Sequence, residues 1–156
     1  MTKTNKYCLM AIGVYQIIGG LFGFTGFTKL KMIDLMDNYL LVLIISGYFI
    51  FVVISGITLL RQKWMQGIKL TQINQFLQVI TVNIIGFGFL FSSSIYMGIG
   101  FSDTPNLHFI TKFSFLRSVC HFWINNASDE ISIMINIVPV AIILFLSRIV
   151  KKNEPI

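Results

Sequence analysis

Long apolar runs separated by short polar connections dominate this chain, and four of them are long enough to form helices that cross a bilayer. They cover residues 7–27, 39–60, 73–96 and 131–147. A helix needs about 20 residues to span the hydrocarbon core. None of the runs contains Asp, Glu, Lys, Arg or His. The pattern predicts an all-α membrane protein with a single transmembrane domain over residues 1–156, built as an antiparallel bundle of four transmembrane helices.

Composition and charge add a location and an orientation to this prediction. Charged residues make up 12 % of the chain and the mean hydropathy is +0.79, whereas a soluble domain carries roughly 25 % charged residues. If both termini and residues 61–69 share one side, that side has eight basic residues against Glu154 alone. Basic residues are retained in the cytoplasm, which predicts a multi-pass protein of the inner or plasma membrane with both termini cytoplasmic.

The formal net charge of +6 does not indicate nucleic-acid binding, because the cations flank apolar runs and do not cluster on one folded face. The lipid bilayer is the expected partner, and the cations serve first as topology signals.

The third predicted helix starts with a polar stripe. Four residues at spacing i, i+3, i+4, i+7 share one helix face: Thr71, Asn74, Gln75 and Gln78. Amides that face lipid would leave donors unpaired, so the stripe should face other helices, with Gln16 and Asn136 as candidate partners. Two interpretations stay open, namely hydrogen bonding between helices and a polar path for a small solute.

A glycine pair in the first predicted helix indicates close packing. Gly19 and Gly23 form a G-x-x-x-G spacing, which lets a second backbone approach one helix face. The pair predicts a packing surface either inside the bundle or between subunits.

The connection 100–130 is the one long segment predicted outside the membrane. Its apolar residues fall on one helical face opposite a polar stripe, which predicts a short amphipathic helix in the outer loop between helices three and four. It would lie in the membrane interface, cap the bundle or dock a partner through Phe109, Phe113, Leu116 and Trp123.

Catalytic chemistry has few candidates in this sequence. His108 and His121 do not have the i, i+4 spacing that puts two metal ligands on one helix face. We therefore expect no enzyme, no metal and no cofactor. The favoured hypothesis is a membrane protein that acts by association with itself or with another membrane protein, and the alternative is a passive pore or carrier for a small polar solute.

Overall fold

Helices and a β-sheet both contribute to the fold of this chain. The structure, a computed structural model, describes residues 1–27, 39–84, 87–103, 106–115, 118–124 and 131–153. Its elements in chain order are α1 (Lys3–Phe27), α2 (Tyr39–Leu60), α3 (Trp64–Leu77), β1 (Ile80–Ile84), β2 (Phe87–Ser92), β3 (Ile95–Ser102), β4 (His108–Phe115), β5 (Val119–Ile124), β6 (Ser132–Asn136) and α4 (Ile137–Asn153).

The six strands among the described residues form one antiparallel sheet in the order β4-β3-β6-β1-β2-β5. The pairs β1–β2 and β3–β4 are sequence neighbours, whereas β6 lies between β3 and β1 and joins the two pairs. Ile135 is opposite Ile99 of β3 and Ile80 of β1. The last strand of the chain therefore closes the centre of the sheet and leaves β4 and β5 at its two edges.

The prediction of an all-α four-helix bundle is wrong. The first two predicted helices are present as α1 and α2, and by length and composition both could cross a membrane. The predicted span 73–96 is instead the end of α3 followed by β1, β2 and the start of β3, and the span 131–147 is β6 followed by α4. The physical reason is local, because Ile80–Ile84 alternates apolar and polar residues in a β-branched sequence, which favours a strand.

The predicted amphipathic helix of the 100–130 connection is also wrong. Phe109 and Phe113 lie in β4 and Trp123 lies in β5, while Leu116 is outside the described residues. Two residues four positions apart share a face in a helix and also in a strand, since four is a multiple of the strand period. The spacing of Phe109 and Phe113 therefore could not separate the two structures.

Two apolar clusters hold the helices together. Leu9 of α1, Leu59 of α2 and Ile68 of α3 pack with Leu146 and Ile149 of α4. This cluster joins the helix ends that carry basic residues, which are Lys3, Lys6, Arg61, Lys63, Lys69, Arg148, Lys151 and Lys152.

The second cluster lies farther along the α1–α2 pair. Phe49 and Val52 of α2 are buried there, and Tyr48 stacks on Phe91 of β2 with ring centroids 4.6 Å apart. Phe24 of α1 packs against the same cluster. The sheet is thereby attached to the α1–α2 pair at the end away from the basic residues.

Candidate functional site

The polar stripe of α3 is turned completely into the protein. Thr71, Asn74, Gln75 and Gln78 are each 0 % exposed. On the other side of the same helix, Ile73 and Phe76 are exposed, Phe76 to 71 %. The four buried side chains of the stripe and the side chain of Gln16 of α1 together form the amide cluster.

Gln78 is the best-bonded member of the amide cluster. Its Nε2 donates to Oδ1 of Asn74 at 3.0 Å, one helical turn earlier. Its Oε1 accepts from the backbone N–H of Ser93 at 2.9 Å and from the Ser93 hydroxyl at 3.1 Å. Gln78 therefore ties the end of α3 to the turn between β2 and β3.

The same turn is held against α1 by Tyr15. The Tyr15 hydroxyl donates to the backbone oxygen of Ser93 at 2.7 Å, and the Ser94 hydroxyl donates to the backbone oxygen of Tyr15 at 3.2 Å. Ser94 has a φ of 70°, a left-handed conformation that is uncommon for a residue with a side chain. Gln16 follows Tyr15 and accepts a 3.3 Å bond from the Thr71 hydroxyl. The sequence-predicted partner Gln16 thus contacts the stripe through Thr71.

Several amide atoms of the cluster have no hydrogen-bond partner among the described residues. They are Nε2 of Gln16, Nδ2 of Asn74, and both Nε2 and Oε1 of Gln75. A buried polar group without a partner costs about 1–3 kcal/mol. The cluster therefore keeps unused hydrogen-bonding capacity in a buried position, mainly at Gln75.

Asn136, the other predicted partner, has a different role in the structure. It ends β6 immediately before α4, and its Oδ1 accepts from the backbone N–H of Val138 at 3.3 Å and of Met97 at 3.1 Å. The bond to Val138 is that of an N-cap side chain. Pro139 lies in the first turn of α4, where a missing N–H costs little. None of the hydrogen bonds described for Asn136 joins it to the amide cluster.

Gly19 and Gly23 both face the interior of the protein. A side chain at Gly19 would collide with Ser93 and Ser94, and one at Gly23 would collide with the ring of Phe49. The backbone oxygen of Gly19 also accepts a hydrogen bond from Ser118. In this chain the glycine pair lets the β2–β3 turn and α2 approach α1 closely.

The sheet presents an apolar face that no described element covers on β1, β3, β4 and β6. On β2 the same face is covered by α2, where Phe91 stacks on Tyr48. The register puts alternate residues of the strands on one side, and the large apolar residues among them are exposed. This outer face consists of Ile80, Ile84, Met97, Phe101, Phe109, Phe113, Phe115, Ile133 and Ile135. A groove of about 410 Å³ crosses it, and Asp103 supplies the one charged side chain of its lining.

On strands β1, β3 and β6 the opposite face of the sheet is mostly buried and more polar. Tyr96 lies across it, with its hydroxyl 3.4 Å from Oγ1 of Thr81 and 3.5 Å from the sulfur of Met134. Ser102 and Ser132 are buried on the same face. Polar groups thus point inward and apolar groups outward in the central strands of the sheet, as they do in α3 from Thr71 onward.

The described titratable groups form no obvious reaction centre. His108 Nδ1 lies 2.7 Å from the backbone oxygen of Asn106 at the exposed start of β4, and His121 is in β5. Among the residues that the structure describes, no three His, Cys, Asp or Glu side chains come together. The arrangement of the amide cluster can donate and accept hydrogen bonds, whereas none of its side chains is an acid or base at neutral pH.

Comparison with protein-family models, with curated proteins and with solved structures finds no match to this chain. Its function is therefore argued from the geometry alone.

Sequence reasoning missed two parts of these surfaces. The roles of Tyr15, Ser93 and Ser94 carry no signal in the sequence, because they depend on where the sheet meets α1. The outer face did carry a signal, since β3 alternates large apolar residues with small or polar ones from Ile95 to Ser102.

Proposed function

We propose that the chain is an integral membrane protein, anchored by α1 and α2, that acts by association with another membrane protein or with a second copy of itself. The observation that carries the proposal is the exposed outer face of the sheet, in which Phe113 is 71 % exposed. Exposed apolar patches of several large residues are typical of binding or membrane surfaces.

The helix pair supports a membrane location. α1 and α2 are apolar, antiparallel and of spanning length. Their outward side chains include Leu21, Leu43 and Ile50, each at least half exposed. The shared end of the pair carries Lys3 and Arg61 with their basic neighbours, and residues 1–27 and 39–102 contain no acid. By the rule that basic ends stay inside, the proposed orientation has the basic ends of the helices in the cytoplasm.

The edges of the sheet favour a protein partner over lipid alone. The β2–β3 turn meets α1 at Gly19, which is about 24 Å of helix from Lys3. A contact at that distance from the basic end would be inside a hydrocarbon core of about 30 Å, so the membrane would reach the sheet. Strand β4 pairs on one side only among the described strands, and hydrocarbon cannot satisfy an unpaired strand edge. A partner that covers β4 and the outer face supplies both the hydrogen bonds and the apolar contact.

Photo-crosslinking in native membranes tests the association. A photoreactive phenylalanine analogue is placed at Phe113 or, as the control, at Phe76 of α3, which is exposed to the same 71 %. We expect a protein adduct from position 113 and only lipid adducts from position 76. The mass of the adduct separates a second copy from another protein. Lipid adducts alone at position 113 would contradict association through the sheet.

Alkaline carbonate extraction tests the membrane location separately. The chain should remain with the membrane pellet, because two spanning helices do not dissociate when ionic contacts are removed. Release into the supernatant would refute the anchor.

The amide cluster supports a second candidate function, a path or binding site for a small neutral polar solute. The specific observation is that Gln75 is fully buried and that neither of its side-chain amide atoms has a hydrogen-bond partner in the part of the chain that the structure describes. Swelling of proteoliposomes in glycerol or urea measures this activity directly. If the cluster lines the path, Gln75→Met slows swelling relative to the wild-type chain. Equal rates for protein-containing and empty vesicles would exclude the path for these two solutes.

A further inference from the structure

A groove between α2 and α3 combines an apolar wall with three basic side chains. It has a volume of about 580 Å³, and its lining includes Ile54, Ile57, Thr58, Arg61, Lys63 and Lys69. The volume is within the usual range for small-molecule sites, roughly 300–1,000 Å³. None of these residues belongs to the amide cluster or to the outer face of the sheet.

No described acidic residue compensates the charge in the groove. Arg61, Lys63 and Lys69 are exposed, and none of the three side chains has an ion pair or a hydrogen bond within the described part of the chain. The nearest acids in the sequence are Asp37 and Asp103. Three unpaired cations around one groove attract an anion, and phosphate oxygens are strong acceptors for Arg and Lys.

The basic and apolar parts of the groove are separated along the helix axes. On α2, Ile54 and Ile57 precede Arg61 on one helix face, at spacings of seven and four residues. Ile54 is therefore about 10 Å from the level of Arg61. The Thr58 hydroxyl bonds to the backbone oxygen of Ile54 at 2.7 Å, so it does not make this wall polar.

The turn between the helices fixes the cations at the groove end. Gln62 has a φ of 58°, and its N–H donates to the backbone oxygen of Leu59 at 3.0 Å. The N–H of Lys63 donates to the backbone oxygen of Thr58 at 3.3 Å. This tight turn places Arg61 and Lys63 on either side of Gln62 at the end of the apolar wall.

We propose that this groove is a binding site for an anionic phospholipid. The phosphate group binds among Arg61, Lys63 and Lys69, and the first part of an acyl chain lies along Ile54 and Ile57. A free inorganic anion would use the cations but not the apolar wall. The order of the two parts also matches the proposed orientation, because headgroups lie at the basic ends of the helices and acyl chains point away from them. The site rests on the proposed membrane location.

Native mass spectrometry of the purified chain in a neutral detergent tests the site with two lipids of matched acyl chains, phosphatidylglycerol and phosphatidylcholine. The groove variant carries Arg61→Gln, Lys63→Gln and Lys69→Gln. The control variant removes the same charge from the same basic end but outside the groove, with Lys3→Gln, Lys151→Gln and Lys152→Gln.

The wild-type chain should bind phosphatidylglycerol at least about tenfold more tightly than phosphatidylcholine. One basic side chain near an anionic lipid surface contributes roughly fivefold in affinity, so the groove variant should lose on the order of 100-fold. The control variant should lose less than about fivefold, because screening weakens charges outside the site. Equal losses in both variants would refute a specific site, as would equal binding of the two lipids.

Two further arms identify the ligand and protect the result against misfolding. Ile54→Ser should weaken phosphatidylglycerol binding several-fold, and inorganic phosphate at the same concentration should fail to displace the lipid. Displacement by phosphate, with no effect of Ile54→Ser, would overturn the lipid assignment. The single variant Lys69→Gln should keep the wild-type melting temperature and still lose roughly fivefold in affinity.

Carbonate extraction of the wild-type chain separates the two proposals. If the wild-type chain stays in the membrane pellet but binds the two lipids equally well, the binding site is refuted and the membrane anchor is not. Release of the chain from membranes refutes the anchor on which the site rests.

Discussion

Gln75 and Gln78 are neighbours on one face of α3, and the structure predicts different effects on stability when each is replaced by Met. Both side chains are fully buried, and Met has nearly the same length without the amide. Gln78→Met removes the bonds to Asn74 and Ser93. Gln75→Met removes no bond, because neither amide atom of Gln75 has a partner among the described residues.

The magnitude for Gln78→Met follows from the groups it leaves behind. Oδ1 of Asn74 and the backbone N–H of Ser93 both lose the partner that Gln78 supplied, and each unpaired buried group costs about 1–3 kcal/mol. The Ser93 hydroxyl can rotate toward another acceptor, so it adds nothing to the expected loss of unfolding free energy. The expected loss is about 2–6 kcal/mol of unfolding free energy. For Gln75→Met the same reasoning gives no loss, or a gain of about 1–3 kcal/mol, because a costly buried amide is removed.

Thermal unfolding of the purified chain in detergent measures both variants. For a chain of this size 1 kcal/mol shifts the melting temperature by roughly 2–4 °C, so Gln78→Met should lower it by at least about 4 °C. Gln75→Met should leave it unchanged or raise it. Gln66→Met, at an exposed position of the same helix, controls for the substitution itself. Equal destabilisation at positions 75 and 78 would refute the hydrogen-bond reasoning.

Four other predictions test the helix packing, the helix propensity and the buried face of the sheet. Gly23→Leu should lower the melting temperature strongly, because the leucine side chain would meet the ring of Phe49. Gly47→Ala should raise the unfolding free energy by roughly 0.5–1 kcal/mol, since no atom lies near that exposed helical position. Asn136→Ala should cost about 1 kcal/mol or more, as both a helix N-cap and a bond to the backbone of β3 are lost, and the same melting assay measures it. Burial raises the pKa of Tyr96 above its usual value of 10.0, so the neutral form is favoured in the folded state. The stability that the neutral Tyr96 hydroxyl contributes is complete below pH 10 and should be lost as the pH rises through the raised pKa. Replacing Tyr96 by Phe removes this ionisation, so Tyr96→Phe should reduce the fall in melting temperature above pH 10.

The helices that could be predicted from the sequence are those whose apolar runs are compatible with only one type of secondary structure. α2 is apolar over nearly its whole length, and no strand in a compact domain is that long. The composition of the segment after Leu77 was compatible with two structures, because Ile, Val and Phe are common in membrane-spanning helices and in strands. Length favoured the helix, whereas the alternation of Ile80, Thr81, Val82 and Asn83 favoured the strand that the structure contains.

The amide cluster shows a similar division. The helical spacing of Thr71, Asn74, Gln75 and Gln78 was sufficient to predict one buried face, because unpaired amides are costly in an apolar environment. The partner of Gln78 could not be predicted in this way. Ser93 comes 15 residues later in a turn whose position depends on the pairing of β2 with its neighbours, and such pairing is not encoded by local spacing.

The reversed polarity of the sheet and of α3 from Thr71 onward restricts which surroundings this fold can tolerate. In water, the outer face around Phe113 and the exposed side of α3 around Phe76 would both be unfavourable, and buried amides such as Gln75 would gain by turning outward. Apolar surroundings remove both costs, since outward apolar groups then meet lipid or protein and inward amides avoid hydrocarbon. Lipid alone suffices at Phe76, because a helix satisfies its own backbone. It does not suffice at β4, whose outer edge has no strand partner among the described residues. The contrast between a helix and an open strand edge is therefore the physical reason to expect a protein contact at Phe113 and a lipid contact at Phe76.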